Sequence, residues 1–154
     1  MTYFEQQLIE LRDYAGQKDY VNQQLSLARQ FIRSNLEHPI TVDHAAGAAC
    51  FSKYHFIRLF KSVYHCTPHE YLTDLRIEKA KQLLLEGQTI GQVCYSVGFS
   101  SHSSFKLLFK RYTRHTPYSF SQKMKRSGST KAIAVSPFLL YYKKSNFRAR
   151  VDTD

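Results

Sequence analysis

This 154-residue chain lacks long apolar runs, has few cysteines and is short of acidic residues against its basic ones. It has no apolar run of the roughly 18 residues that a membrane-spanning helix needs. Its three cysteines, Cys50, Cys66 and Cys94, are too few and too scattered for a disulfide framework. Only 6 glycines and 4 prolines occur, while 43% of the residues are hydrophobic. That balance excludes collagen-like and low-complexity chains and leaves material for a packed core. The opening residues, Met1-Thr-Tyr-Phe-Glu-Gln-Gln7, lack the basic end and apolar stretch of a secretory signal, so a cytoplasmic protein is expected. No glycine-rich phosphate loop, nucleophile elbow or paired-carboxylate site is found. Glu70, Asp74 and Glu78 share a helical side, but acids four apart on an exposed helix usually serve solvation. The expectation is a protein with no catalytic residues and no cofactor.

The shortage of acids leaves a surplus of cations. Lysine and arginine number 22 against 12 aspartate and glutamate, a formal charge of +10. Such an excess points to a polyanionic partner, nucleic acid first and an anionic membrane surface second.

The middle of the chain repeats itself. Phe56-Ile-Arg-Leu-Phe-Lys61 returns as Phe105-Lys-Leu-Leu-Phe-Lys110, at an offset of 49 that also relates Thr67-Pro68 to Thr116-Pro117. Upstream the offset is 48, pairing Val42 with Ile90, Phe51 with Phe99 and Ser52 with Ser100. Each copy reads as helix, turn, helix. Thr41 is placed to cap a short helix to about Ala49, and Ser52 a second helix to about Tyr64. In the second copy, Thr89-Ile-Gly-Gln92 has the capping-box form, and Ser100 or Ser101 opens a helix to about Thr113. Gly98 sits where a tight turn needs positive φ; its counterpart, Cys50, is a poorer residue for that geometry. A three-to-four-residue connection between short helices is the geometry of a helix-turn-helix.

Between the copies, Thr67-Pro-His-Glu70 opens a helix predicted to run to Glu86 and stop at Gly87. Leu72, Leu75, Ile77, Ala80, Leu83 and Leu84 give it a broad apolar face. Its length, roughly 28 Å, approaches the roughly 34 Å between successive major-groove faces on one side of B-DNA. Ahead of the repeat, Val21 to Leu36 reads as an amphipathic helix, and Phe4, Leu8 and Leu11 mark an earlier one to about Tyr14. A short helix from Pro117 to about Lys125 follows the repeat. The expected architecture is all-α, with two helix-turn-helix subdomains joined by a linker helix. Its boundaries are an N-terminal extension 1–20, a first subdomain 21–66, a linker 67–87, a second subdomain 88–126 and a basic tail 127–154.

On the second helix of the first copy, Phe56, Phe60 and Val63 share an inward face, and Lys53, Tyr54, Ile57, Arg58 and Lys61 lie largely opposite. The equivalent stripe in the second copy is Ser103, Lys106, Leu107 and Lys110, with His102 beside it and Phe105, Phe109 and Tyr112 inward. A helix in the major groove reads base edges with residues near its start, while flanking cations meet phosphates. Arg58 suits bidentate pairing with guanine and Tyr54 suits a thymine methyl. Lys61, Lys110 and Arg111 suit phosphates, as do backbone amides at the Thr41 and Thr89 helix starts. Because Arg58 corresponds to Leu107, the first copy is expected to discriminate sequence and the second to supply general affinity.

These residues carry a family resemblance. Ser52-Lys-Tyr-His-Phe-Ile-Arg-Leu-Phe-Lys61, Glu70-Tyr71, Leu75-Arg76 and Ala80-Lys-Gln-Leu-Leu84, followed by Val97-Gly-Phe-Ser100, Phe105, Phe109-Lys110 and Thr116-Pro117, resemble the AraC/XylS family of bacterial transcription regulators over about residues 20 to 125. The resemblance implies seven helices and two recognition helices entering major grooves on one face of double-stranded DNA. By position, Tyr54, Ile57 and Arg58 match base-reading sites of the first unit, and His102, Ser103 and Leu107 those of the second; Lys53 and Lys106 complete the set expected to read bases. It further implies an activator on the bacterial nucleoid, RNA polymerase as a second partner, and binding as a monomer or weak dimer. Departures are His65 and Arg114 where a glycine is usual, Cys94 for alanine, Ser121 for arginine, and Leu107 for arginine. Because the chain has no space for the sensor domain most members carry, the resemblance is to the short stand-alone regulators.

Two other readings compete. Cys66-Thr-Pro-His69 has a metal-ligand spacing, but no second pair completes the usual four ligands, so no metal is expected. A basic membrane-surface or scaffold protein would use Phe138-Leu-Leu-Tyr-Tyr142 beside Lys143 and Lys144.

Overall fold

The computed structural model describes residues 2–127, which are helical with no strand. Seven helices follow in order: α1 (Tyr3–Ser34), α2 (Val42–Ala48), α3 (Lys53–Tyr64), α4 (Pro68–Leu85), α5 (Ile90–Ser96), α6 (His102–Thr113) and α7 (Pro117–Ser127). They divide into two compact units. Of the described residues, the first holds 2–34 and 41–68, and the second 35–40 and 69–127.

The two helices expected ahead of the repeat are one continuous helix. Thr2 and Glu5 close its start reciprocally: the Glu5 carboxylate accepts from the Thr2 amide at 2.7 Å, and the Thr2 hydroxyl from the Glu5 amide at 3.3 Å. No proline interrupts it before Ser34. Gly16 weakens a helix by about 1 kcal/mol without ending it.

In the first unit, α1 packs on α2 and α3 through its C-terminal half. Leu25, Ala28 and Ile32 are sealed from solvent, as are Ala45, Ala46, Phe56 and Phe60. The third inward residue of α3 is Tyr64 rather than Val63, which is only half-buried. Tyr64, four positions beyond Phe60, continues the ring ladder, with centroids 5.5 Å apart from Phe56 to Phe60 and 4.6 Å from Phe60 to Tyr64. Arg29 stands 5.2 Å over the Tyr64 ring. Burial pushes the Tyr64 phenol above its usual range, with the Arg29 charge opposing.

In the second unit, Ile77, Ala80 and Leu84 of α4 share a core with Val93, Cys94, Val97, Phe99, Phe105, Phe109 and Phe120. Tyr112, expected inward, is only partly buried against this core. Cys94 is buried where a small apolar side chain fits, and burial pushes its thiol above the usual range. The linker helix ends at Leu85, one residue short of the expected Glu86. Gly87 turns the chain at φ +91°, as expected, while the Gln88 amide reaches back to the Leu83 carbonyl.

The segment Asn35–Ile40 is strapped to the second unit by Arg76. Its guanidinium donates to the carbonyls of Leu36 at 2.7 Å and His38 at 2.8 Å. It also lies 5.7 Å from the centroid of Phe99. Lys79 pairs with Glu37 at 3.4 Å beside it.

Candidate nucleic-acid interface

The two copies match helix for helix, with one more residue in the second turn. α3 and α6 are both 12 residues long and begin 49 positions apart, while α2 and α5 are both 7 residues long and begin 48 apart. The intervening turns share one hydrogen-bond pattern. Cys50 donates to Gly47 and Phe51 to Ala46, both at 3.0 Å; Gly98 donates to Tyr95 and Phe99 to Cys94, at 3.0 and 3.1 Å. This turn closes a helix with one left-handed residue, a place that favours glycine. Gly98 occupies it at φ +87° and Cys50 at +56°. The left-handed stop recurs after each long helix, at His65 (φ 58°) and Arg114 (φ 66°). Those are the two positions where the family resemblance leads one to expect glycine.

Both short helices start with a reciprocal cap. The Thr89 amide donates to Gln92 Oε1 at 3.1 Å, and the Gln92 amide to the Thr89 hydroxyl at 3.3 Å. At Thr41 the same box is built with an imidazole: the Thr41 amide donates to His44 Nδ1 at 3.2 Å. The partnership was not anticipated, since glutamate or glutamine usually holds that place. Both threonines therefore spend their amides and hydroxyls on capping. An anion at either start would meet the next amides instead, those of Val42 and Asp43 or Ile90 and Gly91.

The long helices open differently. Ser101 accepts from the Ser104 amide at 3.3 Å, whereas Ser52 stands at the cap position with no side-chain cap bond, contrary to expectation. Near Ser52, Lys53 reaches back to Asp43 at 3.0 Å. Lys53 is thus tied to an acid on α2 rather than offered alone to a partner. Tyr54, Arg58 and Lys61 are exposed on α3, Tyr54 at 79%, while Ile57 is half-buried at its flank.

On α6, Ser103, Lys106, Lys110 and Arg111 are exposed, and Leu107 stands out at 71%. His102 is half-buried: Tyr95 of α5 meets its ring edge-on at 5.1 Å, and its Cε1 lies 3.5 Å from where a Cβ on Gly91 would be. The sequence reading missed Tyr95, an exposed aromatic at no periodic core position.

Charge separates the copies. Neither α3 nor α6 carries an acid. From residue 88 to 126 there is no acid at all, against seven lysines and arginines; from 41 to 66 there are three cations and Asp43. Among the described residues, no cluster of histidine, cysteine, aspartate and glutamate could hold a metal. No helix among them is long and apolar enough to cross a membrane. The aromatic-cationic segment Phe138 to Lys144, on which the membrane-surface reading rested, lies outside the described residues.

Two short-helix, tight-turn, long-helix units, each with an acid-free long helix, define a tandem helix-turn-helix protein. A family model described as a helix-turn-helix domain matches residues 45–123. The transcriptional regulator AlkR of Acinetobacter baylyi is 35% identical over 121 residues, covering 73% of this chain and 40% of its own length. A solved regulator from Chromobacterium violaceum with an AraC-type DNA-binding domain superposes with a TM-score of 0.60 at 27% identity, covering 71% of this chain and 95% of that one. The DNA-binding domain of AdpA, solved with a target DNA, shares the fold at a TM-score of 0.66 and 21% identity, over 70% of this chain and 97% of that one. The chain belongs to the AraC/XylS family of helix-turn-helix DNA-binding proteins. It spans about two fifths of the length of AlkR.

Proposed function

We propose that the protein is a sequence-specific transcription regulator whose α3 and α6 read neighbouring major-groove segments of double-stranded DNA. The observation that carries this reading is the recurrence, after the same left-handed turn, of an exposed, acid-free cationic helix face in both units. On α3, Tyr54, Ile57 and Arg58 face base edges, with Lys53 held at the rim by Asp43. On α6, His102, Ser103 and Lys106 do so, with Leu107 offering an apolar contact to a thymine methyl. Lys61, Lys110 and Arg111 meet phosphates, together with the first free amides beyond Thr41 and Thr89. The AlkR and AdpA likenesses support the regulator class. On this reading the protein works in the cytoplasm, on the nucleoid, with RNA polymerase as the second macromolecule at the promoter.

The units divide the labour. Arg58 gives the first the stronger base discrimination, and the seven uncompensated cations from 88 to 126 give the second the larger salt-dependent affinity. Selection of bound duplexes from a random library at two salt concentrations tests both statements. Two separated blocks of preferred bases are expected, and binding without preference overturns the proposal. Arg58→Ala should relax one block, at a cost of about 1–3 kcal/mol in discrimination. Lys106→Ala should relax the other less; equal relaxation refutes the division of labour.

A further inference from the structure

The N-terminal half of α1 presents an apolar stripe that no described part of the chain covers. Every residue from Thr2 to Tyr20 is exposed, including Phe4 at 71%, Leu8 at 51% and Leu11 at 63%. An isolated helix of this length is marginal in water, because helices draw most of their stability from packing one face. Phe4, Leu8, Leu11 and Ala15 follow one another at steps of four, three and four, the seam spacing of a coiled coil. Lys18 and Asn22 end the seam before Leu25 enters the core of the first unit.

The residues beside the seam choose the direction of pairing. We propose that α1 pairs antiparallel with α1 of a second copy of this chain. In that register Leu8 faces Leu11 of the second copy, and the large Phe4 faces the small Ala15, twice over by symmetry. Glu5 and Arg12, which flank the seam on one side, then meet their opposites on the second copy, forming two ion pairs. A parallel pair would set Lys18 against Lys18 and bring Arg12 beside Gln7, with no acid in reach. The seam is roughly 16 Å long, well short of a standard interface, so the dimer is weak and concentration-dependent.

Sedimentation equilibrium of the full chain without DNA tests this independently of the regulator reading. A monomer–dimer equilibrium is expected at high micromolar concentration. Glu5→Arg and Arg12→Glu should each weaken self-association about tenfold. An equimolar mixture of the two variants should recover the dimer, because every facing pair is then of opposite sign. Glu5 also caps α1, so Leu8→Glu, which leaves the cap and both charges in place, should abolish the dimer by itself. A chain that stays monomeric, whether residues 128–154 or another protein cover the stripe, overturns the proposal. A dimer indifferent to Leu8→Glu, or variants that fail to rescue each other, does so too.

Discussion

The first and second helix-turn-helix units are one design with different fillings. Their cores agree closely: Phe56 and Phe60 stand 5.5 Å apart at 61°, and Phe105 and Phe109 stand 5.7 Å apart at 62°. Their turns agree in hydrogen bonding and in a left-handed residue. They part in what surrounds that frame. The second has glycine in its inter-helix turn, a serine that caps α6 and no acid from 88 to 126; the first has a cysteine, a serine that does not cap and Asp43 holding Lys53. Backbone geometry and core rings are thus what the fold demands of both copies. Caps and outer charges are where each copy is free to be fitted to its own contacts.

That comparison breaks most readily at the rings. Phe60→Ala and Phe109→Ala each remove a fully buried side chain and should each cost about 3–5 kcal/mol in urea denaturation. A large difference between them would show that the two cores are not equivalent. The turns should respond with opposite signs. A Cβ on Gly98 would lie 2.7 Å from the Leu36 carbonyl and 2.9 Å from Arg76 Nη2, at a φ of +87° that side chains rarely adopt. Gly98→Ala should therefore destabilise by about 3 kcal/mol, beyond the roughly 1–2 kcal/mol of left-handed strain alone. Cys50→Gly should relieve that strain and raise the unfolding free energy by about 1 kcal/mol. The smallest contrast lies at the caps: Ser101→Ala should cost about 1 kcal/mol and Ser52→Ala close to nothing, read by the same melts.

The repeat was legible because a core demands fixed spacing. The Phe pairs, Thr89 with Gln92, and Gly98 announced two helix-turn-helix units, and six of the seven helices lie within a residue or two of expectation. The long α1 was not legible, since a helix half with nothing to pack against carries no reliable period, and the gap expected between Tyr14 and Val21 is helical. The choice between Val63 and Tyr64 falls within the ambiguity of a 3.6-residue turn. Lys53 with Asp43 and Arg76 with the Leu36 and His38 carbonyls were hidden because they join residues distant in sequence. As for the candidate site, Tyr54, Arg58, Ser103, Lys106, Lys110 and Arg111 could be placed on outer faces from the helical repeat alone. The caps at Thr41 and Thr89 were legible too, but the imidazole that completes the first of them was not, because histidine seldom holds that place in a capping box.

The Arg76 strap makes the chain inseparable at any single peptide bond. Excising the second unit from His69 onward would leave a half-sunken guanidinium facing Gly98 and Phe99 without the two carbonyls that neutralise its donors. The six-residue strap between α1 and α2 is therefore a splint that the amino-terminal half lends to the carboxy-terminal half. Dissecting which unit grips which bases calls for substitutions within the intact polypeptide, not for isolated fragments.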